Sequence, residues 1–82
     1  MNLVTLTETI IKKIVTDPES VSVKEFETDE ENTIRIEVLI SNNDIGKVIG
    51  RNGKIINSIR TIVQASSSLE DNKKVRINVD SY

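Results

Sequence analysis

The sequence predicts a two-layer α+β domain in which three helices cover one face of a three-stranded mixed sheet. The chain has 82 residues, a length that suits one domain. Its apolar residues recur at helical spacing in two long stretches and alternate with polar residues in three others. The order is helix, strand, strand, helix, helix, strand. A crossover through two helices favours a parallel, right-handed return to the sheet.

The first helix is predicted over residues 3–16. Apolar residues recur there three or four positions apart, from Leu3 to Ile14, and form one continuous face. We expect the helix to end at Asp17-Pro18, because the residue before a proline is pushed out of the helical region.

The two strands that follow are predicted to pair antiparallel through a polar turn. The first covers residues 20–28, and its alternation changes phase at Phe26, so we expect a bulge or a strand end near Glu25. The second covers residues 33–40 and is the most regular strand of the chain. One face of this strand is apolar and is predicted to be buried, while the other face is mostly exposed to solvent. The buried set is Ile34, Ile36, Val38 and Ile40.

The C-terminal half contains two more helices and the last strand. A short helix over residues 43–49 begins at a run of capping residues that ends with Asp44. A loop over residues 50–53 breaks it. A second helix is predicted over residues 53–67, and a final strand over residues 73–79. In the second helix we expect three residues to lie in the core only: Ile55, Ile59 and Ile62.

Composition excludes several kinds of chemistry. There is no cysteine and no histidine, which removes disulfides, thiolate and imidazole catalysis and the usual zinc sites. No cofactor is expected. An enzyme would need a carboxylate pair or a serine nucleophile, and the serines at 66–68 have no evident base. With no apolar run that could span a bilayer and no signal peptide, we expect a cytoplasmic protein without membrane insertion.

Charge is distributed unevenly along the chain. The net charge is −2, but residues 1–32 carry three cations and eight acids, whereas residues 33–82 carry eight cations and five acids. Between Gly46 and Leu69 there are four cations and no acid. A local positive field of this kind attracts phosphate even when the whole molecule is acidic.

All three glycines of the chain lie in one stretch, NDIGKVIGRNGKII, at residues 43–56. A lone G-x-x-G such as Gly50 to Gly53 is explained by a turn that needs positive φ. The turn also opens the second helix, where free N–H groups and the helix dipole favour an anion. Two nucleotide-binding motifs do not match this stretch. Lys54 is followed by Ile55 instead of Ser or Thr, as a P-loop requires, and no G-x-G-x-x-G follows a strand.

The segment from Val48 to Ile56 reads V-I-G-x-x-G-x-x-I, which resembles the signature of the KH domain, a module that binds RNA and single-stranded DNA. The element order is similar to the bacterial, type II form of this domain. The short length, the DIGKVIGRNGKI block, the SIRTIV helix and the KKVRI strand resemble the small stand-alone bacterial KH proteins of the KhpA type. The resemblance extends from Leu3 to Val79.

The resemblance implies roles for the loop and its flanks. The KH loop clamps the sugar–phosphate backbone of about four nucleotides. Its backbone N–H groups are expected to meet phosphates, cations beside it supply charge, and the bases lie on an aliphatic floor between the helices and the edge of the sheet. For Arg60, a phosphate contact and an ion pair with an acid are both open. The expected RNA-binding residues are Lys47, Ile49, Gly50, Arg51, Asn52, Gly53, Lys54, Ile56 and Arg60.

Two functions from different classes remain open. The first is an RNA-binding protein that acts as a post-transcriptional regulator or RNA chaperone, which the resemblance links to cell elongation and division. The second is a protein-interaction subunit that uses the KH fold mainly for dimerisation. The resemblance implies a homodimer, and a heterodimer with a larger KH-containing protein of the Jag type. The loop favours the first function, because Arg51 and Asn52 carry no negative charge.

Overall fold

The computed structural model describes residues 2–82 and has the predicted order of elements. Three helices and three strands make up the fold, with short 3-10 turns between several of them. The elements are α1 (Leu3–Ile14), β1 (Ser22–Glu27), β2 (Thr33–Ile40), α2 (Ile45–Ile49), α3 (Lys54–Glu70) and β3 (Lys74–Ser81). In the sheet β2 is central, β1 pairs with it antiparallel and β3 pairs with it parallel. The predicted fold class is confirmed.

The core lies between the helices and one face of the sheet and is entirely aliphatic. β2 contributes alternate residues, as its pattern predicts, and all four of them are buried. α1 contributes Leu3 and Ile11, and β3 contributes Ile77. The opposite face of the sheet has no helix on it. None of the helices within residues 2–82 is long and apolar enough to cross a membrane.

Several elements begin or end away from the predicted positions. α1 ends at Ile14 because Val15 is already extended, with φ −77° and ψ 157°. α3 continues to Glu70, past the predicted end at residue 67, and its Ser67 is buried. The Ser67 hydroxyl donates to the carbonyl of Lys73 at 2.7 Å, so this serine does not end the helix but ties it to the next strand.

Of the bulge or strand end expected near Glu25, the bulge is absent and the strand ends two residues later, at Glu27. The register of β1 with β2 is unbroken from the Ser22–Leu39 pair to the Glu27–Ile34 pair. Phe26 pairs with Arg35 on the helix-free face, and the guanidinium carbon of Arg35 lies 5.3 Å from the centre of its ring. The change of phase in the sequence therefore reflects an aromatic residue on the open face of a regular strand.

The prediction that Ile55 and Ile62 lie in the core is wrong. Their exposed fractions are 38% and 51%, whereas Ile59 is 2% exposed. The apolar surface of α3 is wider than the strip that the sheet covers, so only part of it is buried. The buried residues of this helix are Ile56, Ile59, Val63 and Ser67.

Candidate nucleic-acid interface

The segment that leads into the glycine loop is anchored by a buried carboxylate. Asp44 is completely buried, and its two oxygens accept from the Thr16 backbone N–H at 2.9 Å, the Thr16 hydroxyl at 2.7 Å and the Asp17 N–H at 3.1 Å. The Thr16 N–H, followed by the hydroxyl and the Asp17 N–H, holds the pKa of Asp44 below its usual value despite burial. The sequence predicts Asp44 as a helix cap. Instead it ties the start of α2 to the end of α1.

Gly50 is required at the end of α2 for two reasons. Its φ is 76° with ψ 177°, which non-glycine residues rarely adopt. A Cβ atom there would also lie 2.7 Å from Cγ1 of Ile55. Gly53 has a φ of 76° as well, but a Cβ atom there would meet nothing closer than the Asn57 amide nitrogen at 3.5 Å. Conformation and packing both require glycine at position 50, whereas conformation alone requires it at position 53.

Between the two glycines the backbone enters the left-handed region. Asn52 is left-handed, with φ 56° and ψ 26°, and Arg51 before it is the first residue of the 3-10 turn Arg51–Gly53. Asparagine is one of the few residues with a side chain that adopts this region readily. A right-handed residue followed by a left-handed one makes successive N–H groups converge into a concave site for an anion. Because the Gly53 N–H already donates to the Gly50 carbonyl at 3.3 Å, the donors that this turn can offer an anion are the N–H groups of Arg51 and Asn52.

Three cations surround this concave site. The side chains of Lys47, Arg51 and Lys54 are exposed, and none of them forms an ion pair among residues 2–82. Asp44 is the acid nearest to them in sequence; its carboxylate is hydrogen-bonded to the end of α1, and the charge of Lys47 also helps to lower its pKa. Among residues 2–82, Arg51 and Lys54 therefore carry positive charge that no ion pair offsets.

The two residues expected to form the aliphatic floor differ in exposure. Ile49 is half-buried, so part of its side chain faces outward. Ile56 is only 3% exposed and belongs to the core. Ile49 can therefore offer a surface to a ligand, whereas Ile56 supports that surface from beneath.

The free edge of β3 is covered over part of its length by polar side chains of α3. Gln64 accepts from the Val75 N–H at 2.9 Å and donates to the Lys73 carbonyl at 3.0 Å. Arg60 donates twice to the Ile77 carbonyl, at 3.2 Å from Nε and 3.0 Å from Nη2. Residues 60, 64 and 67 lie on one face of the helix, which aligns it along the strand edge.

Arg60 does not form the ion pair that the sequence leaves open. Besides the Ile77 carbonyl, its Nη1 donates to the side-chain oxygen of Asn57 at 3.0 Å. Asn57 in turn stands beside Gly53. Sequence reasoning missed Asn57 and Gln64. The only signal for them is their spacing from Arg60 on the helix, which becomes meaningful once the helix is placed against β3.

Two helices joined by a G-x-x-G turn, beside the parallel edge strand of a three-stranded sheet, define a KH domain. Residues 4–79 match the family model described as the KH domain of KhpA/KhpB, and the chain belongs to this family. The predicted resemblance is thereby confirmed.

Curated relatives support the same assignment. The chain is 42% identical to the RNA-binding protein KhpA of Clostridium perfringens over 74 residues, which is 90% of this chain and 95% of that one. It is 40% identical to the RNA-binding protein KhpA of Chlamydia trachomatis over 70 residues, which is 85% of this chain and 86% of that one. Because the KH domain is a binding fold and these relatives are named as binding proteins, the protein is not an enzyme.

Solved structures show the same fold within a larger protein. Aquifex aeolicus Era bound to GDP·AlF4⁻ matches with a TM-score of 0.69 and 17% identity, over 96% of this chain. Era in complex with MgGDPNP and nucleotides 1506–1542 of 16S ribosomal RNA matches with a TM-score of 0.69 and 18% identity. This chain spans 29% of each Era chain, so the similarity concerns the fold alone.

Proposed function

We propose that the protein binds single-stranded RNA by clamping its sugar–phosphate backbone on the loop from Gly50 to Gly53. The observation that carries this proposal is the combination of the left-handed turn at Asn52 with the exposed side chains of Arg51 and Lys54, which form no ion pair among residues 2–82. A phosphate fits both features, since it accepts several hydrogen bonds and carries the opposite charge. The names of the curated relatives favour RNA as the ligand over single-stranded DNA.

Each loop residue has a distinct part in this proposal. Gly50 and Gly53 allow the turn, and Asn52 supplies the left-handed position between them. Arg51 and Lys54 provide positive charge at the loop, with Lys47 on the α2 side. Substituting acids here would oppose phosphate without removing either glycine.

The bases would lie between the helices and the edge of β3, with Ile49 on the floor. The only aromatic residues of the chain are Phe26 and Tyr82, and Phe26 lies on the helix-free face of the sheet. Without an aromatic platform in the groove, most of the affinity comes from phosphate contacts and is therefore sensitive to salt. Such binding suits a broad post-transcriptional regulator or RNA chaperone in the cytoplasm, and we expect its loss to affect cell elongation and division.

The test is titration of a short fluorescent single-stranded RNA with the wild type and an Arg51→Asp/Asn52→Asp variant at two salt concentrations. A Thr9→Asp/Lys13→Asp variant makes the same change in charge at exposed positions of α1 and serves as the matched control. We expect binding by the wild type and the control, weaker at high salt, and none by the loop variant. Equal binding by all three folded proteins would refute the clamp.

A second copy of the chain is the proposed protein partner, and α3 is the proposed contact. Ile55, Ile62 and Leu69 are exposed by 38%, 51% and 88% and stand seven residues apart on α3. The stripe is symmetric about Ile62, so antiparallel pairing of two copies would set Ile62 against its equivalent and Ile55 against Leu69. The one charged residue between Ile55 and Leu69 is Arg60, and its guanidinium is turned to the Ile77 carbonyl.

The dimer is tested by measuring molar mass against concentration for the wild type, Ile62→Lys and Leu39→Lys. Leu39 is 37% exposed on the helix-free face of the sheet and is the matched control. We expect only Ile62→Lys to be monomeric. Dissociation of the dimer by Leu39→Lys would place the interface on the sheet. A wild type that stays monomeric would refute the homodimer, and the exposed residues of α3 would then be tested as the contact for a larger KH-containing protein of the Jag type. A dimer without RNA binding would favour the protein-interaction function.

A further inference from the structure

Arg60 is held in one orientation at the wall of the groove. Its Nε and Nη2 both donate to the carbonyl of Ile77, and its Nη1 donates to the side chain of Asn57. Ile77 itself is only 2% exposed. The acceptor that this part of the strand edge would otherwise offer is therefore covered by the guanidinium.

The guanidinium of Arg60 covers a hydrogen-bond acceptor, the Ile77 carbonyl, and presents hydrogen-bond donors in its place. A guanidinium has five N–H groups, and three of those of Arg60 are used in these bonds. One N–H remains on each of the two terminal nitrogens. Two donors on one planar group can meet two acceptors of one ligand.

Arg60 lies beyond the loop, along the side of α3 that faces the edge of β3. Residue 60 follows residue 53 by two helical turns, about 10 Å along the axis at 1.5 Å per residue. Asn57 stands between them, near Gly53 on one side and bonded to Arg60 on the other. Arg60 also borders two shallow depressions along the edge of β3, of about 250 and 470 Å³. A nucleotide next to one clamped at the loop would come within reach of Arg60.

We propose that Arg60 selects the base beside it, favouring bases with two adjacent acceptors and disfavouring adenine. This inference rests on the RNA binding proposed above. Guanine offers O6 and N7, the pair that arginine recognises most often, and cytosine offers O2 and N3. Adenine presents its amino donor beside either ring acceptor, so it cannot satisfy both N–H groups. Arg60 thus supplies base preference, while Arg51 and Lys54 supply attraction to phosphate.

The test uses short oligouridine RNAs that carry one guanosine, cytidine or adenosine at the centre. Affinities are measured for the wild type, Arg60→Met, Asn57→Ala and Arg51→Gln. Methionine keeps an apolar stem without donors, and Asn57→Ala frees Arg60 from one of its two anchors. We expect the wild type to bind the guanosine or cytidine RNA at least about fivefold more tightly than the adenosine RNA, the lower end for a bidentate arginine contact. Arg60→Met should abolish this ratio, Asn57→Ala should reduce it, and Arg51→Gln should weaken all three RNAs and keep it.

The outcomes separate this inference from the proposed function. A wild type that binds all three RNAs equally, or an Arg60→Met variant that keeps the ratio or loses affinity uniformly, would overturn base selection and leave RNA binding in place. A wild type that binds none of them would refute RNA binding and base selection together. If circular dichroism shows that Arg60→Met is unfolded, Asn57→Ala decides, and an unchanged ratio in that variant counts against the proposal.

Discussion

The buried carboxylate of Asp44 accepts hydrogen bonds from both the backbone N–H and the hydroxyl of Thr16. The two residues lie 28 positions apart, at the start of α2 and just beyond the end of α1. α2 is a helix of only five residues, which is too short to be stable by its own hydrogen bonds. Its direction, and with it the direction of the glycine loop, depends on this tertiary contact.

Asp44→Asn is expected to lower stability at neutral pH, because an amide places donors against N–H groups. The pKa of Asp44 is lowered on folding, so its stabilising effect is fully present above its unfolded pKa of about 3.9 and is lost as pH falls through the folded pKa. Urea unfolding of the wild type and Asp44→Asn from pH 7 down to pH 3 checks this. The difference between the two should shrink below about pH 4. A difference that is constant with pH would contradict it, and the exposed Asp80→Asn serves as the control.

Gly50→Ala is expected to destabilise the protein more than Gly53→Ala. At position 53 the left-handed backbone costs an alanine about 1–2 kcal/mol, whereas at position 50 the backbone lies in a region that is essentially restricted to glycine, and the new methyl group also collides with Ile55. We expect a loss of at least about 2 kcal/mol for Gly50→Ala and about 1 kcal/mol for Gly53→Ala in chemical unfolding. Gly46 is helical and has no atom within 4 Å of an added Cβ, so Gly46→Ala should be neutral or stabilising. Equal losses at positions 50 and 53 would show that the contact with Ile55 relaxes freely.

The salt dependence of RNA binding is expected to report the three cations at the loop. For three neutralised phosphates on a single strand, log K should fall with log salt with a slope of about −2. Arg51→Gln should make the slope shallower by about 0.7, since one phosphate contact is lost. Fluorescence titrations over a range of salt concentrations measure both slopes. Lys13→Gln, on α1, should leave the slope unchanged, and a slope that Arg51→Gln does not alter would exclude this residue from phosphate contact.

Gln64→Ala is expected to release the beginning of β3 from α3. The substitution removes one bond to the Val75 N–H and one to the Lys73 carbonyl, together worth about 1–3 kcal/mol. Amide hydrogen exchange at Val75 should become faster relative to the other strand residues. Ser68→Ala is the control, because it removes the bond from the Gln64 amide to the Ser68 hydroxyl and keeps both partners of Gln64 at the strand. Unchanged exchange at Val75 would mean that this amide is protected in another way.

Much of the fold was predictable because its signals are local. The alternation of β2 and the helical spacing of α1 arise from burial on one face, which shows directly in the order of apolar residues. The glycine loop was predictable for a similar reason, since positive φ restricts the choice of residue at positions 50 and 53. These features need no knowledge of which element packs on which.

The remaining features depend on how the elements are placed in space. Ile55 and Ile62 have the spacing of core residues, but the width of the sheet decides which side of α3 is covered. The contact of Asp44 with Thr16 joins distant parts of the chain, and a capping role near its own helix was the simpler interpretation. The bonds from Arg60 to the Ile77 carbonyl depend on the register of a helix along a strand, which no local pattern specifies.

The polar side chains that cover part of the β3 edge also affect whether a further strand can add to the sheet. An exposed edge strand is a template on which a strand of another chain can add, and repeated addition leads to polymers. An incoming strand needs an uninterrupted row of free N–H and C=O groups, and Gln64 and Arg60 interrupt that row at Val75 and Ile77. A single base needs only one or two such groups and is not excluded in the same way. The side chains that hold α3 to β3 can thus keep the protein from polymerising through this edge while leaving room for a short ligand.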